Sequence, residues 1–111
     1  MDIVYASLKR RQPAAVAGAT GAAEAAEAVD ALWAHAEPAD GLQHASAQPA
    51  DDRIDLLLYL LSRGPSDPPS QLDPAAVRAY GLIARSHRTS PTLLQRYLPP
   101  ELPRATDHTA R

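Results

Sequence analysis

The chain has 111 residues, with 13 acidic and 11 basic side chains, a net charge of −2 and no cysteine. That length suits one small domain, and the absence of thiols excludes a disulfide framework and cysteine chemistry and suits a reducing compartment. The longest apolar run, residues 54–61, contains Asp55 and is half the roughly 18 to 20 residues a membrane span needs, so no membrane partner is expected.

In chain order, MDIVYASLKRRQ alternates Ile3, Tyr5 and Ser7 with Val4, Ala6 and Leu8, the pattern of an extended arm or a lone strand without a partner. Its charges follow its apolar patch, the reverse of a secretory leader, so the expectation is a soluble cytoplasmic protein. Lys9 is the only lysine, Ala and Pro abound, and Phe and Asn are missing, a composition that matches a GC-rich bacterial coding bias.

After Pro13, an Ala-rich tract predicts a helix over residues 14–36, with Val29, Leu32, Trp33 and Ala36 forming an apolar stripe and Trp33 a core anchor. Residues 37–50, with two prolines, a glycine and few apolar side chains, read as a linker. Asp51 and Asp52 supply a cap and first-turn charge for a second helix over residues 53–63, ended by Gly64 and Pro65. Apolar residues surround that helix, so it forms the hub of the core and has Leu56, Tyr59 and Leu60 to spare for an oligomer or partner contact.

A second linker leads to Asp73-Pro74, a cap followed by proline at the first helical position, and a third helix running to about Ser86 with Val77, Tyr80, Ile83 and Ala84 inward. Ser90-Pro91 repeats the device for a fourth helix, stopped near Leu98 by Pro99 and Pro100. The expected fold is all-α: a small bundle of about four helices with proline-rich linkers and a C-terminal helix-turn-helix-like pair. Residues 1–50 form an N-terminal arm, helix and linker, residues 51–105 a compact helical core, and residues 106–111 a loose tail.

Charge is unevenly spread. Up to Leu72 there are ten acids and five bases; afterwards there are three acids and six bases, and between Pro74 and Leu98 there is no acid beside Arg78, Arg85, Arg88 and Arg96. In a helix-turn-helix, Ala84 is the small residue of the first helix, Ile83, Leu94 and Leu98 the shared core, and Ser90 the cap. Thr92, Gln95 and Arg96 then face outward to read base edges and phosphates of double-stranded DNA, with Arg85 and Arg88 on the backbone.

The stretch AAVRAYGLIARSHRTSPTLLQRYL resembles the gamma domain of the FtsK/SpoIIIE DNA translocases, a small winged helix in which a Ser-rich turn precedes a "SLLQR" helix. Thr92, Leu93, Leu94, Gln95 and Arg96 match that helix, and Arg104-Ala105 falls where the family has an Arg-Ala pair; the likeness spans about residues 72–105. It implies a winged-helix scaffold and duplex DNA binding with sequence preference. In this chain Pro99, Pro100 and Pro103 stand where the family builds its recognition helix.

Two functions follow from these residues. One is a small non-catalytic DNA-binding protein, a regulator or accessory factor that dimerises. The other is a helical protein-interaction module or adaptor without nucleic-acid binding. Catalysis and cofactors are not expected: His35, His44, His87 and His108 lack metal-ligand spacing, and there is no Gly-rich phosphate loop or nucleophile elbow.

Overall fold

The computed structural model describes residues 1–12, 18–62 and 74–101. It is an α+β protein: β1 (Asp2–Lys9), α1 (Gly18–His35), a single 3-10 turn at Pro38–Asp40, β2 (Leu42–Pro49), β3 (Arg53–Leu60), α2 (Pro74–Thr89) and α3 (Pro91–Arg96). The all-α expectation is overturned by a three-stranded antiparallel sheet of order β1-β3-β2. Inserting β3 between β1 and β2, with α1 joining those two, gives a split β-α-β unit followed by the α2–α3 pair.

The largest correction is residues 53–60, expected as a helix and found as the central strand. Leucine favours helices locally, but the run of apolar residues here is only eight long, a strand length. With a neighbour on each side, Ile54, Leu56, Leu58 and Leu60 alternate into the core, each at most 2% exposed. Leu57 and Tyr59 point the other way and are half-buried. Asp51 and Asp52 do not cap a helix. They form the two-residue turn of the β2–β3 hairpin, closed by Ala50 N–H donating to Arg53 O (2.8 Å).

Two further expectations fall with the sheet. The lone N-terminal strand has a partner some fifty residues away, Asp2 opposite Leu60 through Lys9 opposite Arg53 without a break. The expected linker over residues 37–50 contains β2. Gly41, at φ 71°, turns the chain out of the 3-10 turn in a conformation open to a residue without Cβ, and its carbonyl accepts from Leu61 N (2.8 Å). The sheet thus draws strands from both sides of residue 50.

The helices cover one face. Val4, Ala6 and Leu8 of β1, Leu42 and Ala45 of β2 and the inward residues of β3 meet Ala28 and Leu32 of α1, Ala75, Ala79, Leu82 and Ile83 of α2, and Leu93 and Tyr97. The helix expected from the Ala-rich tract is present, described from Gly18. Its buried stripe is Glu24, Ala28 and Leu32, so Trp33 is 46% exposed and is not the core anchor. The expected helix-capping aspartate, Asp73, lies outside the described residues, as do Arg104, Ala105 and the tail.

Among the described residues no helix is long and apolar enough to cross a membrane.

Candidate interaction surface

The α2–α3 corner is built as its prolines dictate. Ser90 is the single residue between the helices, and its Oγ accepts from Leu93 N (3.3 Å) with Pro91 at the first helical position. α3 lasts only six residues, because Tyr97 is already extended at φ −128° and ψ 155°. Leu93 and Tyr97 therefore enter the core, while Leu94 and Leu98, the expected core pair, stay exposed. Ile83 is buried as expected; Ala84 is half-buried and Val77 is exposed.

Of the residues expected to face DNA, Arg85 and Arg96 are tied to acids elsewhere in the chain. Arg85 donates through Nη2 to Asp40 Oδ2 (2.6 Å) and to His35 O (2.9 Å), tying α2 to the end of α1. Arg96 Nη1 donates to Glu27 Oε1 (3.0 Å) on α1. Arg88 and Gln95 are exposed, and Thr92 is half-buried. Arg78, also in the acid-free stretch, donates to Asp40 O (3.0 Å) and Leu61 O (3.1 Å).

Of the residues expected at a partner contact, Leu56 and Leu60 are fully committed to the core, since they lie on the side of the central strand that the helices cover. Tyr59 alone reaches the uncovered face, with its ring edge-on to His44 at 5.4 Å.

That face, which no described helix covers, carries rows of side chains set by register: Ile3, Tyr59 and His44; Tyr5, Leu57 and Ser46; Ser7, Asp55 and Gln48. Ile3 is 52% and Tyr5 78% exposed. At the polar end, the Ser7 hydroxyl donates to Asp55 Oδ1 (2.6 Å) and Arg53 Nε to the same oxygen (2.9 Å). The Ser7 hydroxyl, with Arg53 behind it, holds the Asp55 carboxyl below its ordinary value against the opposing effect of burial.

The outer edge of β1 is the second part of the surface. Arg10 N–H donates inward to Asp52 O (2.9 Å), whereas Lys9 O accepts from Leu98 N (2.8 Å) and Arg11 N–H donates to Arg96 O (3.0 Å), both on the outer side. Alternation along the strand then directs the N–H and C=O groups of Ile3, Tyr5 and Ser7 outward as well. Beside them lies a groove of about 380 Å³, lined by Tyr5, Ser7, Lys9, Tyr80, Leu98 and Pro99 among others.

One end of that edge is fixed by a buried polar knot that the sequence did not reveal. Arg10 grips Glu24 with both terminal nitrogens (2.7 and 2.9 Å) and donates through Nε to Ala50 O (2.8 Å). The Tyr97 hydroxyl also donates to Glu24, and the Arg10 guanidinium lies 5.6 Å from the Tyr97 ring centre. His87 Nε2 and Tyr97 O are 2.9 Å apart. Burial pushes the Glu24 carboxyl up, but the hydrogen bonds from Arg10 and Tyr97 outweigh it and hold the carboxyl below its ordinary value. Burial, then the Glu24 carboxylate, pushes the Tyr97 phenol upward.

Chemically the knot is closed: its charges satisfy one another, and none of its residues lines the groove beside β1. Among the described residues no three His, Asp or Glu side chains gather as metal ligands. The architecture is that of a small α+β domain whose sheet, among the described residues, has one face without helices and an uninterrupted edge at β1. Comparison with protein-family models, curated proteins and solved structures finds no match.

Proposed function

We propose that this chain is a non-catalytic protein-interaction module that works through the β1 edge and the adjoining sheet face. The observation that carries this reading is the outward row of backbone groups at Ile3, Tyr5 and Ser7, bordered by exposed apolar side chains and a groove. Main-chain pairing to such an edge gives affinity, and alternate side chains give selectivity. The Arg85 and Arg96 ion pairs to Asp40 and Glu27 weigh against the C-terminal pair as the main contact, because binding phosphate there competes with intramolecular partners.

A second reading, duplex DNA binding by a helix-turn-helix-like pair, is favoured by the exposure of Arg88 and Gln95 at one corner. The two separate in one experiment. A displayed library of extended peptides is selected on the wild type and counter-selected on Tyr5→Pro, in parallel with a low-salt titration of duplex DNA. The Tyr5 N–H points outward, so proline there removes an edge donor without breaking the β1–β3 ladder. Peptides retained by the wild type and lost by Tyr5→Pro support the module. Binding to duplex DNA alone, with a salt slope made shallower by Arg88→Ala, overturns it in favour of the second reading.

A further inference from the structure

The two edges of the sheet are treated differently. The β2 edge is interrupted by an irregularity between Leu42 and His44 and ends in Pro49, two devices that discourage further pairing. The β1 edge has neither: its register is unbroken from Asp2 to Lys9, and the strand has no proline and no charged residue between its ends. It remains a flat template for another strand.

The chain's own next segment starts to fill that place and stops. Arg10 and Tyr97 form an antiparallel bridge, and Leu98 N–H reaches Lys9 O. Continuing the same register sets Pro100 opposite Ser7, and proline has no N–H to donate. Among the described residues the ladder ends at Leu98, and none of them pairs with the outer side of Ile3, Tyr5 or Ser7.

A third observation comes from α2. Val77 and Tyr80 lie one turn apart on one stripe of the helix. Their spacing reads as core-facing, yet Val77 is 44% exposed and Tyr80, half-buried, lines the groove beside Tyr5. Tyr80 thus borders the position where a fourth strand would lie, and Val77 is one turn away from it along the helix.

We infer that the occupant of this position is a second copy of the chain, paired β1 to β1 about a two-fold axis to give a continuous six-stranded antiparallel sheet. This deepens the interaction-module reading and rests on it. Two-fold pairing uses one patch twice, which is what a self-complementary contact requires. The outward phase of the odd-numbered residues allows Ile3 to pair with the partner's Tyr5, and Tyr5 with the partner's Ile3, with the axis at Val4. Each pair sets a β-branched side chain against an aromatic one on the bare face, a favoured cross-strand combination. On the helix side the exposed Val77 of each copy is brought toward the junction. Together the strand edge, Ile3, Tyr5, Val77 and part of the groove cover on the order of 500 Å² per copy, near the ~1,000 Å² total at the lower bound of specific interfaces. The dimer is therefore weak and reversible.

Sedimentation velocity over a hundredfold range of concentration tests this. The wild type is expected to pass from monomer to dimer, and Tyr5→Pro and Val77→Glu to stay monomeric with unchanged circular dichroism. Hydrogen exchange supplies a readout independent of any variant. The Ile3 and Tyr5 amides gain protection as concentration rises, while those of Val4 and Ala6, already bonded to β3, do not change. A wild type that is monomeric throughout, or a dimer that leaves the Ile3 and Tyr5 amides unprotected, overturns the inference. If that monomer still captures peptides through β1, only the identity of the occupant has failed and the module reading stands.

Discussion

Replacing Glu24 with alanine is the sharpest test of how the two halves of the chain are held together. The substitution takes both carboxylate bonds from the Arg10 guanidinium, whose side chain is 6% exposed in the intact protein, and leaves it the Ala50 carbonyl and the Tyr97 ring. Alanine is the better helix former, so α1 itself is not weakened. Stranding one member of a buried ion pair costs about 3–5 kcal/mol. That is a large part of the ~5–15 kcal/mol stability of a whole domain. With an m-value of about 1.5 kcal/mol per molar, the urea midpoint falls by roughly 2–3 M, measured by circular dichroism. The double substitution Arg10→Met with Glu24→Leu removes both charges and is expected to recover part of the loss, the remainder being the buried Tyr97 hydroxyl left without its acceptor. A single-variant loss below about 1 kcal/mol, or a double variant worse than the single, would refute the assignment of the knot as a desolvated ion pair.

The same carboxyl makes stability depend on pH. Its folded pKa lies below its unfolded value, so its contribution is complete above the unfolded pKa and is lost as pH falls through the folded one. Urea midpoints measured down an acid series should fall in that window, and Glu24→Ala should flatten the fall. Leu56→Ala, in the centre of the sheet at 2% exposure, is expected to cost about 2–5 kcal/mol, whereas Tyr59→Ala on the bare face should cost less, an ordering that a helical residue 56 on a free surface would reverse. Ser90→Ala removes the cap of α3 and should cost about 1 kcal/mol by the same denaturation assay.

Local chemistry made the C-terminal helices readable. The proline of Asp73-Pro74 and the pair Ser90-Pro91 mark helix starts by a mechanism that needs no distant partner, and the Ala-rich tract needs none to become α1. The sheet was hidden for the opposite reason. β2 reads LQHASAQP, poor strand material that is ordered by pairing with β3, and the Leu-rich β3 takes its conformation from neighbours on both sides. Its eight-residue length was the one available signal. The arginines that suggested a phosphate-facing surface find acids far away in sequence, Arg85 at Asp40 and Arg96 at Glu27, so segment-by-segment charge counting could not place them. The edge of β1 was visible only as an alternation lacking a partner, and that alternation was correct.

Placing the last of the three strands in the middle of the sheet has a consequence for biosynthesis. Among the described residues β1 and β2 pair with no strand but β3, so this sheet cannot form before β3 has been made. Until then the first fifty residues hold two unpaired segments and one Ala-rich helix. Once RIDLLLYL has left the ribosome, β3 can fold back on β2 across their two-residue turn, whereas its pairing with β1 must close the long loop between Lys9 and Arg53 and is the slower step.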